Sequence, residues 1–470
     1  MNLKSISFYL GLFCIPLSLL AFINILYASY FDYFLSINSY FLTLLLSIIF
    51  SSGFYFIGRK SNKKINFIDQ LVLIIALYLI LGFLVSIPFY MSNFKITFAN
   101  AFFESISGLT GTGFSIFNNI KYLDPTLILW RSSSQWIGGL YFLFFLILVF
   151  SNSGFNYKMT NLTYCGDSNL KSRENIQNNI LKIFIIYCVS SLILITLLNI
   201  SGVRLFNSLN LTMSLISNGG FLPSDNLNEI IYTNLQKTVL IFSLLLSMLN
   251  FYLIFNIYNK KILLKNHNED LYLIGLSLLF ILMVYFNSFD AFDIIISVMS
   301  SFANSGISLL EENNNLGLYF LVITIIGGSL VSNSSGIKFS RFYILLKITS
   351  SEIFKLISPN SVINKTIFNS ENKITDENVK ISFLIFISFF ISLFILSSFL
   401  VLDEIGFERS FKLSILTLTN TVNSEMYGLG KLEFNNLLLS SKISLIIFMI
   451  IGKIELISIF LIFKKLLFKD

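Results

Sequence analysis

Three short stretches of this chain set glycine, serine, threonine and asparagine side by side in apolar surroundings. They are Ser107-Gly108-Leu109-Thr110-Gly111-Thr112-Gly113, Ser217-Asn218-Gly219-Gly220-Phe221 and Ala303-Asn304-Ser305-Gly306-Ile307. Their chemistry is that of neutral oxygen donors. Glycine lets the backbone take positive φ and turn its carbonyls toward an axis, and threonine adds a hydroxyl oxygen without adding charge. Each stretch follows a short apolar segment of about a dozen residues, too short for a helix to cross a bilayer. A half-helix that ends in such a loop directs unpaired carbonyls and the negative end of its dipole at whatever lies beyond. That arrangement suits a cation. One such loop is equally a helix C-cap followed by a turn, but three in the same setting form a pattern.

Other chemistries find little to work with. His267 is the only histidine, which excludes histidine-based metal sites and catalytic triads within the chain. Cys14, Cys165 and Cys188 have no metal-like spacing and imply no disulfide framework. No paired carboxylates or nucleophile constellation converge on one membrane face, so the chain does not read as an enzyme. Over 470 residues, 55% are hydrophobic and only 12% charged, against about a quarter charged in a soluble protein. The composition is that of an integral membrane protein. The formal net charge of +7 comes from Lys and Arg clustered between apolar runs, as the positive-inside rule expects, and does not point to nucleic acid.

The elements that must position the loops follow from the apolar runs. Residues 8–27 and 40–57 read as two spans; no clean cleavage site follows the first, so it is retained. Arg59, Lys60, Lys63 and Lys64 place the next loop, and hence the N-terminus, in the cytoplasm. Behind this 1–66 segment the order span, half-helix, loop, span recurs over 67–158, 159–265, 266–375 and 376–470. The basic loops fall on one side only if every half-helix loop re-enters without crossing. Acidic residues such as Asp225, Glu229 and Glu433 then lie on the outer side, where they would raise the local cation concentration.

Four such units behind two extra spans resemble the Trk/Ktr/HKT superfamily of potassium transporters, in particular its TrkH-type membrane subunits, over nearly the whole chain. The matching residues include Phe103-Glu104, Trp130-Arg131, Gln135-Trp136-Ile137-Gly138-Gly139, Ser335-Gly336-Ile337-Lys338, Arg341, Tyr427-Gly428-Leu429-Gly430 and Gly452-Lys453-Ile454-Glu455, in family order with the three loops. The resemblance implies an all-α membrane fold with about ten transmembrane helices and four re-entrant loops around a pseudo-fourfold pore. K⁺ is the implied transported ion, with no bound cofactor.

On this resemblance the K⁺ filter is made by Thr110, Gly111, Thr112 and Gly113, by Ser217, Asn218, Gly219 and Gly220, and by Ala303, Asn304, Ser305 and Gly306. Counting back from Tyr427-Gly428-Leu429-Gly430 makes the fourth segment Asn423, Ser424, Glu425 and Met426, with Met426 where the family has glycine. A Cβ there resists positive φ, and Glu425 brings charge to the ion path. A gate is implied at Gly327, Gly328, Ser332, Asn333, Ser334, Ser335 and Gly336, with Lys338 and with Lys453 as the basic residue at the pore. Such a polar run inside a span must face protein or water rather than lipid, and Lys453 must face a cavity or a carboxylate such as Glu455.

The family further implies a homodimer in the inner membrane, regulated by separate cytoplasmic nucleotide-binding subunits of the TrkA/KtrA kind. The chain itself shows no complete P-loop, and the basic stretch 347–380 is a candidate docking surface for such a partner, though positive-inside charge alone explains it nearly as well. The expected function is a potassium uptake pore. The alternatives are a weakly selective Na⁺/K⁺ pathway and a non-conducting sensor or scaffold.

Overall fold

The structure is a computed structural model that describes residues 2–61, 65–151, 176–258, 267–285, 290–310, 314–358, 365–368, 373–430 and 432–454. Among these residues all regular structure is helical apart from an isolated bridge between Thr366 and Lys373. The reason is the solvent: in a bilayer every backbone N–H and C=O must be satisfied within its own segment, which selects the helix.

Two long helices come first, α1 (Leu3–Tyr30) and α2 (Phe34–Gly58). They run antiparallel with small residues at the contact: Ser51 Oγ donates to Gly11 O at 2.8 Å, and a Cβ added to Gly58 would collide with Phe8. The first unit then contains α3 (Phe67–Tyr90), α4 (Phe98–Thr110) and α5 (Pro125–Ser151). The second has α6 (Ile176–Ile200), α7 (Leu205–Ile216), α8 (Asn234–Met248) and α9 (Phe251–Tyr258). The third has α10 (Asn268–Tyr285), α11 (Ala291–Ala303), α12 (Asn314–Ile326) and α13 (Phe339–Ile357). The fourth has α14 (Asp376–Leu402), α15 (Phe407–Leu418) and α16 (Leu439–Ile454).

Six of these helices, α1, α2, α3, α6, α10 and α14, are long and apolar enough to cross a membrane. The pair α8 and α9 is apolar enough to join them but is bent by 101°, as a broken span or a re-entrant loop is. The returning helix of the first unit departs from a simple apolar span for a physical reason: protein, not lipid, surrounds its polar residues. On α5, Arg131, Ser132, Ser133, Ser134 and Gln135 are all buried, so its polar residues meet partners instead of hydrocarbon. In the third unit the returning helix is broken between α12 and α13 by residues 327–338.

The two broken helices repair each other. Ser329 N donates to Met248 O at 3.0 Å and Phe251 N to Val331 O at 2.8 Å, so backbone groups freed at the α8–α9 bend pair with those freed at the α12–α13 break. Carboxylates on the first turn of α10 complete the join, Asp270 Oδ1 accepting from Asn250 N at 2.9 Å and Glu269 Oε1 from Leu330 N at 2.8 Å.

The short helices α4, α7, α11 and α15 hold 13, 12, 13 and 12 residues, roughly 20 Å at 1.5 Å per residue. Glycines let the returning helices reach their ends. A Cβ on Gly138 of α5 would lie 2.7 Å from Leu109 C, and one on Gly452 of α16 would lie 3.0 Å from Leu418 C. Leu109 and Leu418 stand at the same place at the end of α4 and α15, so the close approach recurs in the first and fourth units.

Candidate cation pathway

Each short helix ends in the same turn. The residue after its last turn, Gly111, Asn218, Asn304 or Asn420, has positive φ of 79°, 57°, 60° and 48°. Its N–H donates to the carbonyl three residues back, in Gly108, Leu215, Ser301 and Thr417, at 2.9, 3.1, 3.2 and 3.2 Å. The preceding hydroxyl folds onto the helix: Thr110 Oγ1 donates to Ile106 O at 2.8 Å, Ser217 Oγ to Met213 O at 2.8 Å and Thr419 Oγ1 to Ile415 O at 2.9 Å. Threonine pairs close the first and fourth loops alike, Thr110 with Thr112 at 2.8 Å and Thr419 with Thr421 at 2.9 Å. These repeated bonds define four equivalent segments: 110–113, 217–220, 303–306 and 419–422.

The fourth segment therefore differs from the sequence expectation. Thr419, Asn420, Thr421 and Val422 occupy the place equivalent to the other three, and Asn423, Ser424, Glu425 and Met426 lie beyond it. Glu425 is exposed, Met426 is buried, and both belong to a short 3₁₀ turn (Glu425–Tyr427). The non-glycine residue at the fourth glycine position is Val422. The sequence count fails because these residues separate the loop from Tyr427-Gly428-Leu429-Gly430. The signal that finds the loop is the recurring asparagine, at 218, 304 and 420.

Those asparagines fasten the loops to the returning helices. Asn218 Nδ2 donates to Ser247 O at 3.2 Å, Asn304 Nδ2 to Thr324 O at 2.9 Å and Asn420 Nδ2 to Met449 O at 2.9 Å. Adjacent loops are also joined to each other, Asn304 Nδ2 to Thr421 Oγ1 at 3.3 Å and Asn420 Nδ2 to Thr112 Oγ1 at 2.9 Å.

The four segments meet at the floor of a cavity of about 850 Å³. Gly113, Gly220, Gly306 and Val422 all line it, with Asp225, Glu425 and Glu433 among its charged residues. The one basic residue among its described lining residues, Arg131, is neutralised: Nε donates to Glu104 Oε1 at 2.8 Å, and both side chains are buried. Glu104 Oε2 also accepts from Ile116 N at 2.8 Å, and Arg131 Nη2 donates to Ser115 Oγ at 2.9 Å. The guanidinium lies 4.1 Å over the Phe221 ring. This ion pair holds the exit of the first loop and touches the second, a role sequence motifs alone do not assign.

Residues 327–338 meet the loops from the other units. Gly327 and Gly336 take positive φ, 70° and 80°. Asn333 Nδ2 donates to Ile216 O at the end of α7 at 2.9 Å, and Ser335 Oγ donates to Asn420 Oδ1 at 2.9 Å. Ser332 and Ser334 hydroxyls pair at 2.6 Å, and Ser334 Oγ accepts from Gly328 N at 3.1 Å. Lys338 Nζ donates to Ser332 O at 3.1 Å and to Ser334 O, while Lys453 Nζ donates to Asn333 O at 2.8 Å. Both ammonium groups face the Phe142 ring, at 5.9 and 4.8 Å. Lys453 thus meets a backbone carbonyl and an aromatic face; Glu455 lies outside the described residues.

Comparison with known proteins places this geometry. The family model described as TrkH, cation transport protein, matches residues 36–286. An uncharacterised cation transporter of Methanocaldococcus jannaschii is 28% identical over 444 residues, covering 91% of this chain and 90% of the relative. The Trk system potassium uptake protein TrkG of Escherichia coli is 25% identical over 454 residues, covering 91% of each. The crystal structure of the potassium transporter TrkH from Vibrio parahaemolyticus superposes with a TM-score of 0.86 at 20% identity, covering 98% of both chains. With a multi-pass helical fold and four equivalent loops below one cavity, this chain belongs to the TrkH family of cation transport proteins, which are ion transporters and not enzymes.

Proposed function

We propose that the chain conducts K⁺ into the cell through the axis between its four loops. The supporting observation is that segments 110–113, 217–220, 303–306 and 419–422, one from each of the units 67–158, 159–265, 266–375 and 376–470, form the same turn and meet at the floor of one cavity. A cation would enter from that cavity and exchange its water for backbone carbonyls and threonine or serine hydroxyls. The membrane potential would drive it, at about 2.3 kcal/mol per charge per 100 mV. Residues 327–338, pinned by Lys338 and Lys453, are the gate in this reading. Curated relatives named as Trk system potassium uptake proteins support K⁺ as the ion.

In this reading the protein sits in the inner membrane with a cytoplasmic N-terminus, as a homodimer under the control of a cytoplasmic nucleotide-binding subunit. Support for a docking surface comes from α13, where Ile353, Phe354, Leu356 and Ile357 are exposed beside Lys355. Co-purification of such a subunit with the wild-type chain but not with an α13 charge-reversal variant tests it.

The decisive test of conduction is flux into proteoliposomes under separate K⁺ and Na⁺ gradients. K⁺ flux well above Na⁺ is expected. Equal fluxes favour the second reading, a weakly selective pathway, which Val422 in the fourth loop supports. Absence of flux for both ions, with or without the regulatory subunit, would overturn conduction in favour of a sensor or scaffold.

A further inference from the structure

Val422 touches all three of the other loops. A Cβ built on Gly113 would lie 3.0 Å from Val422 Cγ2, one on Gly220 would lie 2.6 Å from Cγ1, and one on Gly306 would lie 2.8 Å from Cγ1. The three glycines occupy equivalent places in three different units. A single side chain in contact with all of them stands where the units converge, on the axis itself.

The glycines are needed there for two separable reasons. Gly113 and Gly306 have positive φ, 76° and 69°, which alone disfavours any side chain. Gly220 does not adopt positive φ, so its glycine is explained by space: the Val422 isopropyl group and the carbonyl of Ser305 fill the position a Cβ would take. Val422 itself is half-buried and lines the floor of the outer cavity, so one side of it opens to that space.

We propose that Val422 is an apolar cap on the pathway, setting both the rate of cation passage and the preference between K⁺ and Na⁺. This rests on the reading of the four loops as a cation pathway. An isopropyl group on the axis excludes an ion from the level of Gly113, Gly220 and Gly306, and an alkyl wall offers a dehydrating cation no oxygen. A β-branched side chain is stiff about χ1, so passage requires Val422 to move toward the cavity. The preference between K⁺ and Na⁺ follows from the same wall, because on that side of the path the ion loses water without gaining an oxygen in its place.

The test is ⁸⁶Rb⁺ and ²²Na⁺ flux in proteoliposomes carrying wild type, Val422→Gly, Val422→Ala and Val422→Cys, each checked for a monodisperse elution profile. Val422→Gly is expected to raise Rb⁺ flux about tenfold or more, the effect of removing a barrier of about 1.4 kcal/mol, with Val422→Ala between it and wild type. The Rb⁺/Na⁺ ratio should change in the same order. Val422→Cys should be blocked by a membrane-impermeant thiol reagent applied from the cavity side, where wild type with its native cysteines is not. Should wild type conduct while Val422→Gly and Val422→Ala match it in rate and ratio and Val422→Cys resists block, the cap is wrong and the pathway stands. Should wild type and every variant be silent, the pathway reading itself falls and takes the cap with it. Silence of wild type with flux through Val422→Gly would support both.

Discussion

Asn420 Nδ2 donates a 2.9 Å hydrogen bond to Thr112 Oγ1 and so ties the fourth loop to the first across 308 residues of sequence. The same amide donates to Met449 O and accepts from Ser335 Oγ, which makes Asn420 the junction of two loops, α16 and the segment between α12 and α13. In Asn218 and Asn304 the corresponding Oδ1 atoms are buried without a hydrogen-bond partner among the described residues. Only the fourth loop senses that segment through its asparagine.

Asn420→Ala should therefore act on both stability and gating. Leaving buried partners unsatisfied costs about 1–3 kcal/mol, so the detergent-solubilised variant should unfold at a lower temperature than wild type. Loss of the Ser335 bond should also raise basal flux relative to Asn218→Ala, which loses a loop-to-helix bond but no bond to residues 327–338. Equal flux in the two variants would separate Asn420 from the gate.

The buried pair of Glu104 and Arg131 makes a different prediction. Removing one partner strands a charge in low dielectric and costs about 3–5 kcal/mol, whereas removing both together is often nearly neutral. Glu104→Gln and Arg131→Met should each destabilise strongly in thermal unfolding, and the double variant should recover much of the loss. Because the pair holds Ser115 and Ile116 behind the first loop, the double variant is expected to stay folded yet discriminate less well between K⁺ and Na⁺. Additive single losses would argue that the two side chains act independently.

Much of this architecture is legible in the sequence, and the part that is not has physical causes. Three loops announce themselves because glycine next to hydroxyl and amide residues stands out against an apolar background. The fourth hides its glycine position behind Val422, and the nearest glycine motif, at Gly428 and Gly430, belongs to a later turn, both residues having positive φ. What the fourth loop shares with the others is the asparagine at the helix end, readable in the sequence at 218, 304 and 420, and the Thr419–Thr421 bond that repeats Thr110–Thr112, which only the structure reveals. The link between Glu104 and Arg131 spans two helices and follows from no spacing rule. Nor does the partnership of the two broken helices, since each break looks in sequence like an isolated defect and only their pairing satisfies both backbones.

Lys338 and Lys453 grip four backbone carbonyls of the segment between α12 and α13, those of Ser329, Ser332 and Ser334 for Lys338 and that of Asn333 for Lys453. A hydrogen bond from a charged donor contributes about 1.5–3 kcal/mol, enough to shift an open–closed equilibrium by roughly ten- to a hundredfold. Lys453→Met should raise basal K⁺ flux within that range, and Lys338→Met should do so further because it releases three carbonyls. A fall in flux for both, with normal elution and stability, would show that the lysines hold the segment clear of the path instead of across it.

Long-range charge gives the last prediction. Asp225, Glu425 and Glu433 line the outer cavity, while the one basic group among its described lining residues, Arg131, is already compensated by Glu104. Acidic groups around a cavity concentrate cations at its floor, and the effect weakens as salt shortens the Debye length from about 30 Å at 0.01 M to about 10 Å at 0.1 M. Asp225 carries a structural duty as well, accepting from Ile120 N at 2.7 Å, so the cleaner probes are Glu425→Gln and Glu433→Gln together. That double variant should conduct less than wild type at low ionic strength and match it at high ionic strength, with the K⁺/Na⁺ ratio unchanged, because attraction to the cavity acts on both ions equally. A loss of flux that persists at high salt would mean that one of the two carboxylates touches the ion, and a change in ratio would assign it to the filter after all.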